Sequence, residues 1–317
     1  LKAQPESNKA AKRNRLTHVV IVGAGRVGQT IGRLLADRGY VIDGVVCRTR
    51  QEAETARRFT RSRHASTRIH RAILDAADII FLTTPDRMLA GMADTLSSFK
   101  VNWGKKTVFH TSGAMTSQEL AVLKHAGARV ASLHPLQTFP TPQDALLSTR
   151  GIFYTFEGGR TALPIARKVV LDLEGHLVPI KAEHKALYHC AGAFACAFLL
   201  APLSAAYELY GKMGIDGKTA RRMLAPMIYA TLKVAQNGQI AKGMTGPLPR
   251  GDTRTIVEHL KALAVFAPHL VTLYRDLSLR LLELQPSSLT ASQRNTLCAL
   301  FQEPAAMAPL RTRSSKR

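Results

Sequence analysis

Seven short, mostly apolar runs, at 19–22, 41–46, 77–82, 107–110, 129–133, 152–156 and 176–180, alternate with segments of helical period at 29–35, 51–59, 88–96, 117–125 and 162–173. Short runs separated by amphipathic segments predict strands joined by crossover helices in a parallel sheet. The run 77–82, Ala-Asp-Ile-Ile-Phe-Leu, is nearly unbroken, as a strand covered on both faces requires. The third-strand signal near Arg68 is poor, because the stretch after the basic helix 51–59 is polar as far as Thr67. From Ala182 strand signals stop, and helical periods cover 182–213, 218–236, 252–266, 269–285 and 291–302. Thr290 and Gln293 make a capping box for the last of these, and Asp252 stands where it caps the helix that carries His259. The chain has no internal repeat. The pattern predicts a basic, flexible segment 1–16, a sheet domain 17–181, a helical domain 182–303 and a basic, flexible tail 304–317.

The first strand runs straight into Gly23-Ala24-Gly25-Arg26-Val27-Gly28 and then into a helix. Strand, glycine turn and helix together are the context a dinucleotide-binding fingerprint needs. Gly23 permits the tight turn, Gly25 lets a pyrophosphate approach the backbone, and Gly28 lets helix and strand pack closely, with the helix N-terminus facing the anion. The expected fold class is therefore α/β, a Rossmann-type doubly wound parallel sheet followed by an all-α C-terminal domain. About twenty residues further on, where an acid would receive the ribose hydroxyls of NAD, stand Cys47-Arg48-Thr49-Arg50. Arg48 and Arg50 suit charge-assisted bonds to a 2′-phosphate and Thr49 adds a hydroxyl, so the expected cofactor is NADP rather than NAD. Asp43 lies inside the strand, not at its tip; two solvated arginines are the plainer alternative. Thr83, Thr84, Pro85 and Asp86 follow the run 77–82, at the strand end where the nicotinamide ribose is expected. Asp86 also suits a helix N-cap.

At 317 residues and 46% hydrophobic, the chain can bury the core of two domains. Its formal charge of +22 and pI near 10.4 would draw anionic ligands, acidic membrane surfaces or nucleic acid non-specifically. No nucleic-acid module is visible, and the charges cluster at Lys9 to Arg15, Arg57 to Arg71 and Arg311 to Arg317, mostly outside the apolar-periodic segments. A solvated basic surface is the expectation, with a polyanionic partner the lesser reading. Cys47, Cys190, Cys196 and Cys298 form neither a CxxC pair nor a disulfide framework, which suits a reducing, cytoplasmic setting. The first seventeen residues lack the apolar core of a secretory signal, and Glu6 weighs against an import leader. Residues 190–207 carry no charge and just meet the length of a membrane span. Ala and Gly dominate them, Pro202 interrupts them and no second span follows, so the expectation is no transmembrane span but a helix buried on all sides, at a dimer interface.

Candidate chemistry gathers in three places. Ser112 follows the run 107–110, and His134, Gln137 and Thr138 follow 129–133, so two neighbouring strands deliver polar groups to one sheet edge, where a small-molecule substrate would bind. At the head of the first long helix stand Lys185, Tyr188 and His189; Lys185 and His189 share a face. A desolvated lysine near other cations is tuned toward neutrality and can exchange a proton, and an adjacent histidine can relay or orient it. In the loop Thr245-Gly-Pro-Leu-Pro-Arg-Gly-Asp252, Arg250 suits a substrate carboxylate and Asp252 a cap, though a plain helix connection explains the loop equally well. No spacing suggests metal ligation.

The glycine fingerprint, Thr83-Thr84-Pro85-Asp86, His110-Thr-Ser-Gly-Ala114, His134-Pro-Leu-Gln-Thr-Phe139, Lys185 with Tyr188-His189, and Thr245-Gly-Pro with Arg250-Gly-Asp252 together resemble bacterial oxidoreductases that pair a Rossmann-like domain with a helical domain of unknown function. The likeness runs from about Leu16 to Gln302. More distantly the chain is similar to the 6-phosphogluconate, β-hydroxyacid and prephenate dehydrogenases, ketopantoate reductase and pyrroline-5-carboxylate reductase. Several of those carry Lys-x-x-x-Asn; Lys185 matches the lysine, and His189 departs from the asparagine. The resemblance implies a helical domain that dimerises and closes the active site. It implies an NADP(H)-dependent oxidoreductase acting on a small, anionic carbonyl, hydroxy-acid or imine substrate in the interdomain cleft. Lys185 would be proton donor or acceptor, His189 and Ser112 would orient the substrate, and Arg250 would bind its anionic group. Some related proteins also use a reduced deazaflavin. The alternative is an NADP-binding regulatory or sensor dimer without turnover, since fold alone does not confer activity.

Overall fold

The computed structural model describes residues 16–284 and 289–302; the predicted tail 304–317 and all but the end of the predicted segment 1–16 lie outside them. In chain order the first part runs β1 (His18–Val22), α1 (Arg26–Asp37), β2 (Val41–Val46), α2 (Arg50–Thr60), β3 (His64–Ser66), α3 (Arg71–Ala76), β4 (Ile79–Leu82) and α4 (Leu89–Ser97). It continues β5 (Thr107–His110), α5 (Ala121–His125), β6 (Arg129–Pro135), α6 (Pro142–Ser148), β7 (Phe153–Gly158), α7 (Leu163–Asp172), β8 (His176–Pro179) and α8 (Lys185–Ala195). The remainder is helical: α9 (Leu200–Lys212), α10 (Gly217–Gln236), α11 (Ile240–Gly243), α12 (Thr253–Phe266), α13 (Val271–Glu283) and α14 (Ala291–Gln302).

The strands form one eight-stranded sheet in the order β3-β2-β1-β4-β5-β6-β7-β8. Successive residues of a strand point to opposite faces, so the central strands feed two cores at once. Val19, Ile21, Phe81, Phe109 and Leu133 pack with Ile31 and Leu35 of α1 and Val169 of α7 on one face. Val20, Val22, Ile80, Leu82, Val108 and Val130 pack with Leu74, Leu89, Leu96 and Leu123 on the other. Burial on both faces is why these strands read as unbroken apolar runs.

The sheet departs from the sequence pattern twice. β3 is a three-residue edge strand, paired through Gly44 with His64 and Val46 with Ser66, and its exposed or half-buried His-Ala-Ser needs no apolar signal. β7 is antiparallel to β6, with Pro135 opposite Tyr154, and β8 is parallel to β7, so the sheet is mostly rather than wholly parallel.

The described residues pack as two compact units that divide between Ala197 and Phe198. Composition changes earlier, near Lys181, but α8 stays with the sheet because its first residue, Lys185, is buried there. The long helix expected over 182–213 is two helices, with turns between Ala195 and Leu200. Within the single chain Phe194, Phe198 and Leu200 of this stretch are exposed. The stretch Ala182–Lys212 is long and apolar enough to cross a membrane. In the helical unit Asp216 caps α10, Asp252 caps α12 by accepting from the Thr255 amide at 3.1 Å, and Thr290 and Gln293 exchange bonds at the head of α14 as the capping box predicts.

Candidate functional site

The strand order reverses between β1 and β4, and at this crevice, beyond the carboxyl ends of parallel strands, ligands of open α/β sheets bind. The glycine turn sits there. Gly23 has φ +83°, a left-handed value that disfavours a side chain, and a Cβ on it would lie 2.5 Å from Thr84 Cγ2 and 2.8 Å from the Thr84 amide nitrogen. Its own amide and that of Ala24 donate to the Val46 carbonyl, at 2.8 and 3.2 Å, which ties the turn to β2. A Cβ on Gly28 would fall 2.3 Å from Thr83 Oγ1 and 3.0 Å from Ile21 Cγ2, so helix, strand and loop are in van der Waals contact through that glycine. At Gly25 the only atom within 4 Å would be Gly23 O, at 3.8 Å. That open face, next to the first turn of α1 formed by Arg26, Val27 and Gly28, is where an anion can reach the backbone.

The other cofactor candidates divide by what already engages them. Thr83 Oγ1 donates to the Gly23 carbonyl at 2.8 Å and braces the turn, whereas Thr84 Oγ1 is buried with no hydrogen-bond partner among the described residues. Pro85 precedes a short 3₁₀ turn, Asp86–Met88; exposed Asp86 begins that turn and does not cap α4. Arg26 reaches the Pro140 carbonyl at 3.3 Å. Thr49 is the N-cap of α2 in a capping box with Glu52, and Arg48, its side chain 91% exposed, meets Glu52 at 3.3 Å. Arg50 opens α2 and lines, with Arg57, Arg63, His64, Ser66 and Thr67, a basic cleft of about 580 Å³. Asp43, which spacing places inside β2, accepts from His18 and Arg63 there.

Beside the crevice, strand register aligns His110 of β5 with Ser132 of β6 and Ser132 with Glu157 of β7. All three are buried, and period-two alternation puts them on one face with His134 and Thr155. Lys185 enters this row from the start of α8. It is 1% exposed, and its ammonium donates to the Ser112 carbonyl and to Ser132 Oγ, both at 2.7 Å. Ser132 in turn donates to the Ser112 carbonyl at 3.0 Å. Burial draws the Lys185 ammonium down to about 8, opposed by the carboxylates of Glu157 and Asp86.

His110 lies under the same loop. Its Nδ1 accepts from the Ser112 amide at 3.2 Å and its Nε2 donates to the Thr116 carbonyl at 3.0 Å, which fixes the neutral ring in one tautomer. Burial lowers its pKa to about 4, helped by the Lys185 charge. Between pH 6.5 and about 4 the unfolded chain takes up a proton that the folded chain refuses, so stability falls as pH falls through that window. The expected loss from this ring is about 3 kcal/mol. His110→Asn should flatten that slope in urea melts recorded at pH 7, 5.5 and 4.5.

On the outer side of the row, Tyr188 Oη lies 2.8 Å from His134 Nδ1, with the rings edge-on at 84° and 5.6 Å between centroids. The His189 ring is 6.3 Å from that of His134. Gly113 is wedged between them, since a Cβ there would come within 2.6 Å of His189 Cδ2 and 2.9 Å of His134 Nε2. Burial, then the charges of Lys185, His189 and His110, lower His134 to about 3. Burial raises the Tyr188 phenol, against the Thr155 hydroxyl, which draws it down.

Lys185, His189, the Ser112 backbone and His134 thus meet at one sheet edge. The Ser112 hydroxyl accepts from the amides of Ala114 and Met115, at 3.2 and 2.9 Å, and so shapes its own loop. Gln137 and Thr138 are engaged likewise: Gln137 donates to the Ser148 carbonyl at 2.8 Å and accepts from the Thr138 amide at 2.7 Å. Arg250 and Asp252 belong to the helical unit, where Asp252 serves as the α12 cap. Sequence reasoning passed over Ser132, Glu157 and His110 as site residues; the available signal was a polar residue inside a strand otherwise built to be buried on both faces.

Residues 2–135 match a Rossmann-like domain and residues 152–281 match the domain of unknown function DUF2520. The chain pairs these two domains. No protein of curated function matches it in sequence. Among solved structures it is similar to a protein of Bacteroides fragilis assigned as an NADP oxidoreductase, at 21% identity and a TM-score of 0.70, over 84% of this chain and 98% of that one. A protein of Thermotoga maritima is 22% identical with a TM-score of 0.64, over 84% and 97%. A pyrroline-5-carboxylate reductase of Coxiella burnetii is 14% identical with a TM-score of 0.54, over 86% and 99%. The fold is that of these Rossmann-type proteins.

Proposed function

We propose that the protein is an NADP(H)-dependent oxidoreductase that reduces a small carbonyl or imine substrate, or oxidises the corresponding product, at the edge of the sheet formed by β1, β4, β5 and β6. The observation that carries this reading is the adjacency, within one compact unit, of an open glycine turn, a buried hydroxyl, Thr84 Oγ1, that has no partner among the described residues, and a buried lysine set in a polar row. The turn fits a dinucleotide: Gly25 leaves backbone open to the pyrophosphate, Thr84 offers a hydroxyl, and Arg48 and Arg50 flank the place of a 2′-phosphate. The bound nicotinamide would supply or accept the hydride. Lys185, held by Ser112 and Ser132, supplies a fixed positive charge against which negative charge develops on the substrate heteroatom. The B. fragilis and C. burnetii structures support the reading, since proteins of this fold include one assigned as an NADP oxidoreductase and a pyrroline-5-carboxylate reductase. The charge-free stretch 190–207, with Phe194, Phe198 and Leu200 exposed, favours a homodimer that covers it.

Titration of the purified, nucleotide-free chain with NADPH and NADH, followed by nicotinamide fluorescence, tests this. NADPH should bind more tightly, and Arg48→Ala with Arg50→Ala should weaken NADPH by roughly ten- to a hundredfold while barely changing NADH. Binding of neither nucleotide would refute the reading. Tight binding without oxidation of NADPH across a panel of carbonyls and imines would instead favour the sensor.

A further inference from the structure

Reduction of a C=N or C=O bond needs a proton as well as a hydride, and Lys185 is poorly placed to deliver it. Its ammonium is 1% exposed and directs two protons into the Ser112 carbonyl and Ser132 Oγ. Three residues along α8, on the same face by helical spacing, stands a half-buried group with the right chemistry. Tyr188 Oη is 2.8 Å from His134 Nδ1, and the His134 ring is held from its other side by Gly113 and neighboured by His189. We propose that Tyr188 is the proton donor to the substrate heteroatom and that His134 resupplies the proton it gives up. This rests on the reductase reading above.

In the step, the hydride of a reduced nicotinamide dinucleotide forms a bond to the substrate carbon. The π pair of the C=N or C=O bond moves onto the heteroatom and takes the proton of Tyr188 as its O–H bond breaks. As His134 passes its Nδ1 proton to the phenolate, its Nε2 takes one from solvent water, so the ring changes tautomer and stays neutral, and the hydroxide left behind is neutralised by the buffer. One hydride and one proton are consumed and the dinucleotide is oxidised. The charge of Lys185 favours the transient phenolate over the neutral phenol. The ionisable groups facing His134 are Lys185, His189, His110 and Tyr188; the three cationic or potentially cationic neighbours oppose a positive charge on its ring, so it serves as a neutral relay.

The test uses the full chain with NADPH and two probes, 1-pyrroline, a cyclic imine that must be protonated, and the N-methyl-1-pyrrolinium ion, which is already cationic and needs only hydride. Tyr188→Phe should lower kcat for 1-pyrroline at pH 8, where Lys185 still carries much of its charge, by about tenfold or more and leave pyrrolinium reduction and NADPH affinity within about threefold. His134→Gln should give a smaller split in the same direction. Equal loss with both probes, or no loss with either, overturns the assignment, as does NADPH bound without turnover of either probe by the parent protein. Failure of the parent to bind NADPH would instead overturn the reductase reading. A readout without turnover is the ring-carbon resonance of Tyr188 in ¹³Cζ-tyrosine protein, identified by its loss in Tyr188→Phe. It should shift in His134→Gln, and an unchanged signal counts against the relay.

Discussion

Lys185→Met abolishes turnover, by at least about a hundredfold, and leaves NADPH affinity and folding intact. The ammonium lies beneath the Ser112 loop rather than in the glycine turn, so the contacts proposed for the nucleotide should stay in place. Ser132 keeps an acceptor in the Ser112 carbonyl at 3.0 Å, so the cut does not orphan the row. Stability moves the other way from activity. The folded pKa of about 8 lies below that of an unfolded lysine, near 10.4, so between these values the unfolded chain holds the proton that the folded chain has released. In the parent, stability from this group therefore rises with pH across that window, by up to about 3 kcal/mol, and below pH 8 its burial opposes folding. Methionine fills similar volume without the charge. At pH 7 the variant should be as stable as the parent or more so, and its stability should lack the rise between pH 8 and 10. Denaturant melts at pH 7, 8.5 and 10 beside single-turnover NADPH oxidation check both halves. Retained turnover removes Lys185 from the mechanism, and a melt several kcal/mol lower would make its role structural.

What the sequence made legible and what it hid follow from where each signal is written. Strands buried on both faces announce themselves because every residue from Ile79 to Leu82 must be apolar. β3 does not, because an edge strand of three residues pairs through its backbone alone. The antiparallel turn of β7 is equally silent: Phe153–Gly158 reads the same in either direction, and only the pairing of Pro135 with Tyr154 sets it. In the site, the glycine turn was readable because steric demand at Gly23 and Gly28 writes itself as an absent side chain. Lys185 was readable from its place at the head of an apolar helix and from sharing a face with His189. Its partners were not, because Ser132 and Glu157 become neighbours only through strand register, and no spacing in one chain encodes that. Ser112, Gln137 and Thr138 show how residues that follow a strand are shared with the loop itself. Polar residues after a strand suit a ligand, yet loop amides and carbonyls claim such side chains first.

Two alanine substitutions two residues apart should separate the turn's structural task from its binding task. Gly23→Ala places a Cβ 2.5 Å from Thr84 Cγ2 and 2.8 Å from the Thr84 amide nitrogen, in a backbone with φ +83°. The left-handed conformation costs about 1 kcal/mol or more, and the overlap with β4's own loop about 1–3 kcal/mol, because backbone cannot swing aside as a side-chain tip can. The turn must open, which pulls the Gly23 and Ala24 amides from Val46 and displaces the first turn of α1. The expected result is a loss of about 2–4 kcal/mol in stability and of NADPH binding by more than tenfold. Gly25→Ala meets only Gly23 O, at 3.8 Å, with an ordinary φ of −76°, so the free protein should fold and melt as the parent does. Its methyl stands where the pyrophosphate must approach, and NADPH affinity should fall by a similar factor. Thermal melts with and without NADPH check the pair: both variants should lose the stabilisation that nucleotide confers, and only Gly23→Ala should melt lower without it. Undiminished NADPH affinity in Gly25→Ala would move the pyrophosphate away from this turn, and with it the site assigned to the nicotinamide.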